Sequence, residues 1–104
     1  MTQYMMREKE GSSMEGELGH YGRAQPLVDL ARDDLAQRLR VSRKEIKVRS
    51  VQGVEFPDTS LGVPESGRVY AQVITPGYII ILIVDNAVYE YRGSGNRIVF
   101  APNK

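Results

Sequence analysis

The chain contains no cysteine. Disulfides, thiolate nucleophiles and thiolate zinc sites are excluded together. There is a single histidine, His20, so neither a Ser–His triad in the body of the chain nor a histidine-based metal centre can be assembled. The glycines form no phosphate-binding pattern: there is no GxxxxGK[ST], and Gly93-Ser-Gly95 is too short and precedes no helix. No apolar run approaches the roughly 18–20 residues that span a bilayer. The longest is Tyr78–Val84, and the first 22 residues hold no apolar stretch of the kind a secretory signal needs. A net charge of +1 gives no general attraction to nucleic acid or anionic membrane. These absences lead us to expect no catalytic residues, no metal, no cofactor and no membrane span. They point to a cytoplasmic, non-enzymatic protein, the lack of cysteine suiting a reducing compartment.

What is present reads as one domain, since 104 residues allow no more. Residues 1–23, rich in Gly, Ser and Glu and without periodicity, read as a disordered tail. A single domain is expected over 24–102. Pro26 suits a first helical turn, and Val28, Ala31, Leu35 and Leu39 follow on one helical face. A helix is therefore expected from about Leu27 to Arg40, and Ser42-Arg-Lys-Glu45 has the form of a capping box. From Ile46 the period changes to that of strands, with Gln52-Gly53 as a bulge where the alternation slips. Pro76-Gly77 and Asp85-Asn86 read as hairpin turns, and Gly93-Ser-Gly-Asn96 as a longer one. The fold class is α+β: one N-terminal helix packed on an antiparallel meander of about five strands.

Tight turns fix register. A turn at Pro76-Gly77 sets Val73 opposite Ile80 and Ala71 opposite Leu82. One at Asp85-Asn86 sets Val84 opposite Ala87 and Leu82 opposite Tyr89. The last turn sets Arg92 opposite Arg97 and Tyr91 opposite Ile98. One face then holds Val69, Ala71, Val73, Ile80, Leu82 and Val84 under the helix. The other centres on Ile79, Ile81 and Ile83, flanked by Tyr70, Ile74 and Val88. One helix covers one face, so the second apolar face is expected to meet a protein partner or a second copy of the chain. Two simpler accounts exist: the tail lies over it with Tyr4, Met5, Met6 and Leu18, or the register is displaced by one residue.

Two further segments are candidates. The loop Pro57–Gly67 holds Asp58, Ser60, Leu61, Gly62 and Glu65. Its carboxylates could bind a hard cation, although an Asp after Pro more often caps local backbone. Arg38, Arg40, Arg43, Lys44, Lys47 and Arg49 face only Glu45, a local balance of +5. Such a patch could meet phosphates, although basic residues at a helix C-terminus are more often placed by the dipole. Nucleic acid is accordingly the less favoured partner.

Phe56-Pro-Asp-Thr-Ser-Leu-Gly-Val-Pro64, Tyr70-Ala-Gln-Val-Ile-Thr-Pro-Gly-Tyr78 and Tyr89-Glu-Tyr91 together resemble a small bacterial domain that has no assigned activity. The resemblance covers about residues 27–100. That domain often carries Trp at the Phe56 position and Cys at the Val63 position, which this chain lacks. It often occurs in secreted proteins or lipoproteins. A looser similarity is to small bacterial protease inhibitors that combine a Pro-Gly turn with a terminal hairpin. It implies that Leu61, on the Pro57–Gly67 loop, is offered to a protease pocket.

Overall fold

A computed structural model describes residues 21–102. Helix α1, Gln25–Leu39, is followed by strands β1 Lys47–Phe56, β2 Thr75–Val84, β3 Ala87–Ser94 and β4 Arg97–Ala101. The four strands form one antiparallel sheet in chain order. The fold is α+β, with four strands rather than five. The expected tail lies outside the described residues except at its end. There Tyr21 packs against the core and Gly22–Ala24 makes a short 3-10 turn. His20 and the apolar tail residues Tyr4, Met5, Met6 and Leu18 also lie outside them.

The helix forms where its apolar spacing places it. Leu27, Val28, Ala31 and Leu35 are buried, while Leu39 is half-buried. Pro26 stands in the first turn. No side chain caps the helix at Ala24; instead the Gln25 side chain accepts from Tyr21 N–H at 2.8 Å. Arg40 ends the helix in a left-handed conformation (φ 59°), its N–H bonded to Ala36 O. The capping box at Ser42 is formed, with Glu45 accepting from Ser42 N–H.

Three sheet expectations are corrected. First, Pro76-Gly77 is not a turn: both lie inside β2, and residues 68–74 form no strand. β2 pairs with β1, so that Ile80 faces Val51 and Leu82 faces Val48, not Val73 and Ala71. Gly77 is needed for closeness rather than for turning. A Cβ there would stand 2.2 Å from the Gly93 carbonyl oxygen and 3.0 Å from the Phe56 ring. Second, the extra residue of β1 is Arg49, not Gln52-Gly53. The bulge lets Val48 and Val51 both turn toward the helix. Third, β3 continues through Gly93 and Ser94 and turns at Gly95-Asn96, where Gly95 takes φ +64°. Tyr91 therefore faces Phe100 and Arg92 faces Val99. The Asp85-Asn86 turn lies as expected, with Val84 opposite Ala87 and Leu82 opposite Tyr89.

The main core lies between α1 and one sheet face. Ile46, Val51, Ile80, Leu82, Val84 and Tyr91 meet the helical stripe there. The Tyr91 hydroxyl donates to Asp34 Oδ2 at 2.6 Å, and Arg38 pairs with the same oxygen while lying over the Phe100 ring. Burial, reinforced by the Asp34 carboxylate, holds the Tyr91 phenol well above its ordinary pKa. It is a neutral donor that latches helix to sheet.

Candidate interaction surface

The second sheet face is partly covered, and by the chain's own loop. Cross-strand partners share a face, which places Gln52, Ile79, Arg92 and Val99 in one row and Ser50, Ile81, Glu90 and Ala101 in the next. Phe56, Val54, Leu61 and Ile79 form a second small core, with Ile81 and Val99 packed beside it. Ile79 is 7% exposed and Leu61 0%. The expectation that Ile79 stands open is corrected: Leu61 seals that end of the face. Ile81, Ile83 and Val88 are half-buried. Tyr70 and Ile74 are not on the sheet at all, because the segment carrying them never joins it.

Local bonds explain why the loop folds inward. Asp58 Oδ1 accepts from Ser60 N–H at 2.9 Å and from Ser60 Oγ at 2.6 Å; Ser60 Oγ accepts from Gly62 N–H at 3.2 Å. These bonds, led by the hydroxyl of Ser60, hold the Asp58 carboxyl below its ordinary pKa. Leu61 and Gly62 both take positive φ, 59° and 79°, which turns the Leu61 side chain under the loop. Two sheet arginines then pin the loop from below. Arg92 donates to Leu61 O at 3.0 Å and Arg97 donates to Thr59 O. Arg92 also pairs with Glu90 at 2.8 Å.

Leu61 is thus a core residue, and the side chain that the inhibitor resemblance would offer to a protease is inside the fold. Ser60, 5% exposed, is committed to Asp58. A groove of 470 Å³ opens beside the loop, lined by Gly62, Val63, Pro64, Glu90, Arg92, Ala101 and Pro102. Its charges are already paired with each other. Asp58 and Glu65 are not drawn together with other ligands: among the described residues no group of three or more His, Cys, Asp or Glu side chains could hold a metal ion.

The basic run is neutralised in part. Arg43 reaches back to Asp29 at 2.9 Å and Asp33 at 3.2 Å, and Arg38 to Asp34 at 2.5 Å. Arg40 closes the helix and Arg49 occupies the bulge. Arg40, Lys44, Lys47 and Arg49 make no ion pair among the described residues.

The apolar side chains that remain in water lie elsewhere. Val69 is 96% exposed, Ile74 69% and Val73 55%; the next, Leu30 on α1, is 40%. The segment 68–74 is anchored at its start by a turn in which Arg68 N–H reaches Glu65 O, with Gly67 at φ +84°. The Tyr70 hydroxyl accepts from Glu65 N–H at 3.0 Å. Along the segment Ala71 N–H donates to Thr59 Oγ1, Ala71 O accepts from Thr59 N–H, and Val73 O accepts from Thr75 Oγ1 at 2.8 Å. Sequence reasoning read these residues as a strand, which they do not form, and placed Val69 and Val73 in the core and Tyr70 and Ile74 on the second sheet face, because the Pro76-Gly77 pair suggested a turn that the fold does not make. It also missed Arg92 and Arg97 as pins. Their positions on the second face were legible, but their target, a loop carbonyl, was not.

Residues 28–102 match the family described as Domain of unknown function (DUF8738), and the chain belongs to that family. No curated protein and no solved structure matches it. Among the described residues no helix is long and apolar enough to cross a membrane.

Proposed function

We propose that this chain is a non-enzymatic interaction module that binds protein through the apolar segment 68–74, with Ile81, Ile83 and Val88 as secondary contacts. A single observation carries the reading: Val69, Val73 and Ile74 are the most exposed large hydrophobic side chains among the described residues, and they fall within six consecutive positions. Scattered surface hydrophobes need no explanation, but a contiguous group on a chain with strand composition does. Its chemistry suits the addition of an extended peptide: main-chain bonds give affinity and alternate side chains give selectivity. The half-buried isoleucines contribute less, since the loop already shields their neighbour Ile79. The lack of cysteine supports a reducing compartment as its place of work.

Selection from a phage-displayed random peptide library is the direct test. Apolar extended peptides are expected to be retained by the native protein and lost on the double variant Val69→Asp, Ile74→Asp. Failure to retain any peptide, or equal retention by the variant, overturns the reading.

A further inference from the structure

We propose that the partner of this segment is a second copy of the same chain, the two pairing antiparallel about a twofold axis at Ala71. This rests on the interaction reading above and names its occupant. In an extended chain the backbone groups of successive residues point to opposite sides. Ala71 spends both of its groups on Thr59. Those of Tyr70 and Gln72, on the opposite edge, take no partner among the described residues. That free edge is the hydrogen-bonding template of an unpaired strand.

The side chains are self-complementary about Ala71. Val69-Tyr-Ala-Gln-Val73 carries valine at both ends, and about its centre the aromatic Tyr70 of one copy meets the amide Gln72 of the other. Antiparallel pairing with a twofold axis at Ala71 sets Val69 of each copy opposite Val73 of the other. Tyr70 and Gln72 then exchange both of their N–H···O=C bonds across the axis. The bend at Val73 limits the ladder to this short stretch.

Charge selects the same occupant. No charged residue occurs from Val69 to Val84, and Arg68 is paired with its own Glu65 at 3.3 Å. A charged partner would find nothing to meet, and two copies would face no like charge. The other strand edges are guarded. β1 carries Lys47 and Glu55 and is broken by the Arg49 bulge; β4 is short and opens with Arg97. Charges, bulges and brevity are the devices that keep edges from pairing; the 69–74 stretch carries no charge, and only its brevity and the bend at Val73 restrain it. A ladder of about five residues is only about 17 Å long. It buries far less than the roughly 800 Å² per partner of a stable complex, so the dimer should be weak and exchanging.

Sedimentation velocity on the native chain tests this between about 10 μM and 1 mM, the range in which a contact of this size responds to concentration. A sedimentation coefficient that rises with concentration is expected. Gln72→Pro should abolish the rise without moving the thermal midpoint, because the N–H it deletes serves only the second copy. Ala71→Cys gives an independent readout in a chain with no other cysteine. Facing residues of a non-hydrogen-bonded antiparallel pair stand about 4.5 Å apart, within disulfide reach. Mild oxidation should therefore link Ala71→Cys into dimers at least tenfold faster than Gln72→Cys. A constant mass at every concentration, or equal cross-linking at the two positions, overturns the self-pairing. If peptides are still captured through Val69 and Ile74 in that case, the interaction reading stands and only the identity of the occupant falls. If capture fails as well, both fall.

Discussion

Two stretches of the same connection between β1 and β2 are treated in opposite ways. Residues 57–64 and 68–74 both carry apolar side chains, yet Leu61 is fully buried while Val69 is almost wholly exposed. The difference lies in what the sheet offers each. The first stretch passes over the second face, where Phe56, Val54 and Ile79 leave a hollow and where Arg92 and Arg97 supply donors to its carbonyls. The second passes no such surface. It gains a few bonds to Thr59 and a ring contact between Arg68 and Tyr70, but no apolar cover. Hydrophobic composition alone therefore does not decide burial here. The availability of donors that can satisfy the backbone of a loop decides whether its apolar side chain goes in.

The largest effect that would break this contrast is at Leu61. Truncation to Ala leaves a cavity over Ile79 and Phe56 and should cost about 2–5 kcal/mol in urea unfolding. A loss below about 0.5 kcal/mol, the size of an ordinary surface change, would mean that the loop is no more integral than the exposed segment. Next comes Arg92→Ala. It removes a charged donor from the Leu61 carbonyl and leaves that carbonyl without this partner. Hydrogen bonds to charged groups are worth about 1.5–3 kcal/mol, and the Arg92 side chain is only 21% exposed, so a loss of that order is expected. Amide exchange at Leu61 and Gly62 should rise in the same variant while that of Tyr70 stays unchanged.

A pH experiment separates the stretches without mutation. The Asp58 carboxyl titrates below its ordinary value because Ser60 donates to its charged form, first through the hydroxyl and then through the backbone N–H. A depressed folded pKa contributes stability that is present above the unfolded value and is lost as pH falls through the folded one. Exchange protection within 58–62 should therefore decline as pH drops below the ordinary carboxylate range, ahead of the sheet. Asp58→Asn should flatten the response. The segment 68–74 contains no carboxyl and should show no matching step.

Much of this was legible in the residues. The helical stripe of Val28, Ala31 and Leu35, the capping box at Ser42 and the Asp85-Asn86 turn each follow from local chemistry, because the interaction that fixes each lies within a few positions. The pairing of β1 with β2 does not. It is set by contacts such as Val51 with Ile80, nearly thirty positions apart. Pro76-Gly77 is a strong turn signal in isolation, and it misleads here because Gly77 serves the close approach of Gly93 instead. From that one misreading came the fifth strand, the open Ile79 and the burial of Val69 and Val73. The Arg49 bulge was hidden for a different reason. A charged residue between Val48 and Ser50 is what ordinary alternation would show, and only the partner strand reveals that it has no opposite number.

The smallest effect on stability is expected where the exposed side chains are. Val69→Ser and Ile74→Ser should each move the unfolding free energy by no more than about 0.5 kcal/mol, as for surface positions generally. Either change costing more than about 1 kcal/mol, a typical value for replacing residues that do make contacts, would show that the segment packs within the fold. Measured beside Leu61→Ala, the pair gives the contrast a sign. Leu61 is expected to contribute to the stability of the monomer's own fold, whereas Val69 and Ile74 are expected to contribute little to it. The same serine variants should lower association even as they leave the monomer intact. Unchanged folding together with lowered association would mark Val69 and Ile74 as side chains that answer to a partner, which is what the interaction reading proposes.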